Sequence, residues 1–252
     1  MGMSILPNTY GRLGIFFDTP SFKREEDGSV IQNPIIGVSG FYSQVRKYDS
    51  HADVCMLIIG FKPTGLQRLF DFPVDELSDK NVSLADIFPN DYVELLERLY
   101  SARSWDRRIE IIESFLSKKL EPENTYGELD KMVEYLFHTG GTKRVKEIAA
   151  QFYLTEKTLR RRFVNGIGIS PKMFTKLIRF QKGLRLMSED QDLNLGEIAH
   201  ELEYFDQAHF IHEFTAFYGR SPKHFILAKR SVLGKYYDEN TGKSRHANLA
   251  YL

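Results

Sequence analysis

The 252-residue chain has one cysteine, one tryptophan and no net charge, its 34 Lys and Arg balancing 34 Asp and Glu. A lone Cys55 forms no internal disulfide, and it cannot supply the several thiols of a zinc site or an alkyl-repair centre. The longest apolar run, VCMLIIGF at residues 54–61, suits a buried strand and falls far short of the ~20 residues of a membrane helix. The opening MGMSILPNTYG lacks a basic segment, an apolar core and a small-residue cleavage site, so no secretory signal is read and the expected location is the cytoplasm. Of seven histidines only His51 precedes His138, which leaves the first half without the cluster a metal-dependent β-fold enzyme needs. We therefore expect no enzyme, no metal, no cofactor and no membrane partner.

What is present is globular: 42% hydrophobic residues and a mean hydropathy of −0.35. The neutral total hides a division. Residues 1–139 hold 15 Lys and Arg against 22 Asp and Glu, whereas residues 140–235 hold 17 against 10. An acidic half followed by a basic one predicts two domains, the second facing a polyanion.

Along residues 5–61, LGIFF, VIQNPIIGVSGFY and CMLIIGF read as short strands. From residue 65 to 120 the apolar spacing becomes helical, with Asp91 a candidate N-cap for YVELLERLY. Those helices either present a dimer face or cap the strands. Phe16, Phe17, Phe41 and Tyr42 are expected to belong to the core rather than to line a pocket. EPENTYG, residues 121–127, is a polar connector. The expected division is a β-rich region with trailing helices, a candidate oligomerising surface, at 1–121, a basic helical domain at 127–235, and a loose tail at 236–252. The fold class is α+β overall.

The basic half repeats itself. Glu147, Ile148 and Ala149 recur as Glu197, Ile198 and Ala199 at an offset of 50. After one inserted residue in the turn, Phe163, Gly168, Ser170, Pro171, Lys172 and Phe174 recur at an offset of 51. Each copy reads as a short helix, a tight turn and a capped second helix. Thr155 and Asp206 are the expected N-caps, and Gly168 and Gly219 the expected stops. That is a duplicated helix-turn-helix. Ser170 and Pro171 open a long intervening helix of ~20 residues and about 30 Å. This is close to the ~34 Å between successive major-groove faces, so two recognition helices could enter adjacent grooves.

On a wheel of roughly 100° per residue, Leu159 and Phe163 share the buried side of the first recognition helix. Arg161 lies opposite, with Lys157 and Thr158 beside it and Arg160 and Arg162 on the flanks. Arginine can meet guanine O6 and N7 there, a contact worth ~1–3 kcal/mol of discrimination. Lys157, Arg160 and Arg161 are candidates for base edges and Arg162 for a phosphate. In the second copy the outer arc offers Gln207, Ala208, His209, Ile211, His212 and Thr215. Ala208 and Ile211 suit thymine methyls, and Gln207 and His212 can hydrogen-bond. HFIHE, residues 209–213, matches neither HExxH nor HxxEH, so a metal site is not expected.

The strings EIAAQFYLTEKTLRRRF, GISPKMF, IRFQKGL, EIAHELEYFDQAHFIHEF and YGRSPKHF resemble those of the AraC/XylS family of bacterial transcription regulators. The resemblance covers about residues 127–225. It implies two helix-turn-helix units joined by a long helix, with base-reading positions at Lys157, Arg160 and Arg161 and at Gln207, Ala208, Ile211 and His212. His212 departs from the family pattern. IGFKPTGLQRLFDFPVDEL, residues 59–77, is similar to the sensor-like region of one AraC subgroup, and ILPNTYGRLGIFF to a strand inside it, which implies a shortened sensor-like region. The implied partner is double-stranded DNA, with RNA polymerase and a second copy of the chain as candidate partners and no effector identified. The competing expectation is a regulator or adaptor working mainly through protein contacts of the acidic half.

Overall fold

A computed structural model describes residues 2–17, 22–24, 28–49, 55–70, 72–120, 127–189 and 194–230. The 121–126 connector, His51 and the 236–252 tail lie outside the described residues.

The first part is built on two antiparallel four-stranded sheets. One has the order β1 (Gly2–Ile5), β6 (Arg46–Asp49), β3 (Phe22–Arg24), β4 (Val30–Gln32). The other runs β7 (Met56–Gly60), β2 (Arg12–Phe16), β5 (Ile36–Ser39), β8 (Asn81–Ser83). In the second sheet Leu13 stands opposite both Val38 and Ile59, so the period-2 alternation of β2 sends one row inward. Leu13, Ile15, Ile36 and Val38 are fully buried.

The helices α1 (Gly65–Leu69), α2 (Leu84–Ile87), α3 (Pro89–Ser101) and α4 (Trp105–Lys119) cover that row. Leu95 and Leu99 of α3 and Ile111, Ile112, Phe115 and Leu116 of α4 share its core, so the inward faces of this helix pair cap the strands. Two expectations are corrected here. The stretch 65–120 is not purely helical, because β8 and a 3-10 turn at Val74–Leu77 interrupt it. Three residues are too few to show an alternation. Asp91 is not the cap of α3: the helix begins at Pro89, and Asp91 pairs with Lys119 across the hairpin at 2.7 Å. Proline at the first helical position makes that earlier start favourable.

The opposite face of the second sheet carries Gly14 and Gly37 and borders a cleft of about 40 Å³ with Ile5, Phe16, Tyr42 and Ile58. Phe17 turns instead into an aromatic cluster with Tyr100 and Trp105.

The second part is helical: α5 (Gly127–His138), α6 (Val145–Gln151), α7 (Glu156–Ile167), α8 (Pro171–Glu189), α9 (Leu195–Glu201), α10 (Gln207–Tyr218) and α11 (Pro222–Arg230). Its core gathers Leu136, Ile148, Leu159, Phe163, Phe174, Leu177, Ile198, Phe210 and Phe214 around α8. Phe41, from the loop after β5, joins this helical core and lies edge-on to Phe174 at 6.0 Å.

Candidate nucleic-acid interface

Both repeats fold as helix, turn, helix. In the first, Ala149 is 3% exposed, a small residue that lets α7 cross α6 closely. Thr155 caps α7 by accepting from the Thr158 amide at 3.2 Å, and the two hydroxyls lie 3.0 Å apart. Gly168 ends the helix at φ +93°, the left-handed conformation that glycine adopts without strain. The second repeat is built alike. Asn194 and Glu197 form a reciprocal capping box on α9, and Asp206 caps α10 by accepting from the His209 amide at 2.7 Å. Gly219, at φ +77°, ends α10.

Leu159 and Phe163 are fully buried, which fixes the rotation of α7. Lys157, Arg160 and Arg161 are exposed, and none has an ion-pair partner among the described residues. Thr158 is half-buried beside the cap. Arg162 is engaged elsewhere: its guanidinium donates to the carboxylate of Glu128 on α5. The run of three arginines is thus split between two free cations and one held by its own fold.

On α10, Gln207, Ala208, His209 and His212 are exposed, whereas Ile211 is half-buried and packs against the helical core. The His209 ring meets the Tyr204 ring edge-on at 5.1 Å. No group of three or more His, Cys, Asp or Glu is gathered for a metal ion among the described residues. No described helix is long and apolar enough to cross a membrane.

A buried polar cluster joins α10 to α8. Glu213 is 4% exposed on α10 and accepts from Tyr204 Oη at 2.7 Å and from Arg179 Nη2, on α8, at 2.9 Å. Lys176 Nζ lies 3.0 Å from its other oxygen. Arg179 also donates to the Gly141 carbonyl at 3.3 Å and stacks over the Tyr204 ring at 4.8 Å. Burial alone would push the Glu213 carboxyl up, but the Arg179 charge and the three donors outweigh it and hold it below the usual carboxylate range. Burial, reinforced by Glu213, pushes the Tyr204 hydroxyl up. The cluster ties α10 to α8. Its signal in the sequence is a glutamate one residue before Phe214, inside the apolar arc of its helix.

The first part also touches the helical part. Ser78, after the 3-10 turn, donates to the Gly168 carbonyl at 2.8 Å. Thr64 and Arg68 both donate to Asp130 of α5 at 2.5 Å, and Thr9 donates to Gln181 of α8 at 3.1 Å. The C-terminal end of α7 therefore rests on the first part, leaving the exposed arc with Lys157 and Arg161 uncovered.

Residues 148–227 match a helix-turn-helix domain family, and residues 4–83 match a domain of unknown function, DUF6597. No curated protein sequence matches the chain. Among solved structures, ToxT from Vibrio cholerae bound to an unsaturated fatty acid is 12% identical, with 89% of this chain and 91% of that chain covered and a TM-score of 0.47. The DNA-binding domain of AdpA in complex with a target DNA is 23% identical over 40% of this chain and 92% of that one, with a TM-score of 0.38. The C-terminal domain of AraT, a response regulator from Geobacillus stearothermophilus, is 22% identical over 39% and 83%, with a TM-score of 0.37.

Proposed function

We propose that this chain is a DNA-binding transcription regulator of the AraC type that reads double-stranded DNA by placing α7 and α10 in successive major grooves. One observation carries the reading: Lys157, Arg160 and Arg161 stand exposed and unpaired on a helix whose opposite side is locked into the core. Such an arc is repulsive in the free chain and favourable beside phosphates and guanine edges. The 19 residues of α8 make a helix about 28 Å long between the two units, a length comparable to the groove repeat.

In this reading Arg160, Arg161 and Lys157 meet base edges at one half-site, with Thr158 beside them. Gln207, Ala208, Ile211 and His212 read the other, flanked by His209. Arg162 stays on the flank, where a phosphate competes with Glu128 for it. Residues 127–235 form the reading unit, and 1–121 form a sensor-like unit docked on it. RNA polymerase and a second copy of the chain are candidate protein partners.

Selection from random duplexes tests this, using the full chain, Arg161→Ala and His212→Ala. The wild type is expected to enrich a two-part site with centres about 10 base pairs apart. Each variant should flatten preference in a different part, by about 1–3 kcal/mol per lost bidentate contact, and affinity should fall steeply with salt. Failure of the wild type to enrich any sequence would sink the function. An equal loss on all sequences in Arg161→Ala would reduce that arginine to a phosphate contact.

A further inference from the structure

Tyr153 and Phe205 are 98% and 92% exposed, the most exposed large hydrophobic side chains among the described residues. They stand in the two turns that lead into α7 and α10. Tyr153 precedes the Thr155 cap by two residues, and Phe205 directly precedes the Asp206 cap.

The two copies reach this arrangement by different routes. In the first, the ring sits on the turn residue itself, and Tyr153 has φ +54°, a conformation that glycine adopts without strain and tyrosine does not. In the second, the equivalent left-handed position is Glu203, also at φ +54°. There the ring arrives on the extra residue that lengthens the turn, between buried Tyr204 and the cap. One turn tolerates an unfavourable backbone and the other an insertion, with the same outcome. Neither ring packs on another aromatic in the described residues, so neither contributes to the core.

The position selects the partner. A duplex seated on the first turns of α7 and α10 brings the strand bordering each half-site past these two rings. Phosphate contacts at the same places are disfavoured, because Glu156 follows one cap and the Asp206 carboxylate is the other. What an aromatic ring beside an acid can engage is the apolar edge of deoxyribose, a contact that positions the protein without reading sequence. We infer that Tyr153 and Phe205 are paired backbone anchors that seat each recognition helix against a deoxyribose edge. The inference rests on the proposed DNA-reading function and adds to it two contacts of apolar character.

The test uses the full chain, Tyr153→Ala, Phe205→Ala and the double variant on the duplex selected by the wild type and on a scrambled duplex. Each single variant is expected to lose roughly tenfold in affinity on both duplexes, as covering half an aromatic ring implies. The double variant should lose about a hundredfold, and the slope of log affinity against log salt should stay at the wild-type value, since no cation is removed. Tyr153→Gly separates binding from folding: it should raise the thermal midpoint while weakening binding like Tyr153→Ala. A wild type that binds no duplex removes the proposed function itself. If the wild type binds, then unchanged affinity in the variants, loss confined to the selected sequence, a shifted salt slope, or a change of oligomeric state by sedimentation each overturns the anchors alone.

Discussion

Glu213 sits one residue before Phe214 in the buried arc of α10, where a carboxylate is costly unless it is paired. Arg179, Tyr204 and Lys176 supply that pairing. Removing only one partner leaves a charge uncompensated, so Glu213→Ala is expected to cost about 3–5 kcal/mol in denaturant unfolding. The pH dependence follows from the lowered carboxyl. Its stabilisation is fully present above the ordinary value of 4.5 and is lost as pH falls through the lower folded value. Acid unfolding measured below pH 4.5 should therefore be less steep in Glu213→Gln than in the wild type. An identical acid limb in the two proteins would contradict this role. The residue-scale logic of α7 is the reverse: there the unpaired charges face outward, and Leu159 and Phe163 decide which arginines are free.

At the scale of elements, α7 and α10 both end in a left-handed glycine, but the surroundings of the two differ. A Cβ at Gly168 would come within 2.9 Å of the Val74 carbonyl oxygen and of Ser78 Oγ. At Gly219 it would meet the Val45 side chain at 3.0 Å. Alanine at either position incurs the left-handed cost of ~1–2 kcal/mol. At Gly168 it must also displace the 3-10 turn, which adds about 1–3 kcal/mol of overpacking. Gly168→Ala should therefore lower the unfolding midpoint clearly more than Gly219→Ala. Equal losses would show that the turn does not bear on α7. The same contact leaves α7 with one exposed arc, since its C-terminal end packs against the 3-10 turn.

At the scale of the whole molecule, the acidic and basic parts are joined by more than the connector. Phe41 leaves the strand region and is 1% exposed in the helical core, and the bonds from Thr64, Arg68 and Ser78 reinforce it. Calorimetry on the full chain is expected to show one cooperative transition. Phe41→Ala should cost about 3–5 kcal/mol and separate the parts into two transitions. A single undisturbed transition in that variant would show that the coupling runs elsewhere.

The duplicated helix-turn-helix was legible because its signals are local. Thr155, Asp206, Gly168 and Gly219 cap or stop their helices through bonds to near neighbours, and Leu159 with Phe163 orients α7 by period alone. The order of strands before helices was legible for the same reason, although the three-residue β8 was too short to leave a pattern. Tertiary structure decided what depends on distant partners. It pairs Arg162 with Glu128, places Ile211 against the core, buries Glu213 beside Arg179, and carries Phe41 into the helical part. A wheel gives the direction of a side chain but not what waits there, and each of these contacts spans more than 30 residues or an element boundary that no period encodes.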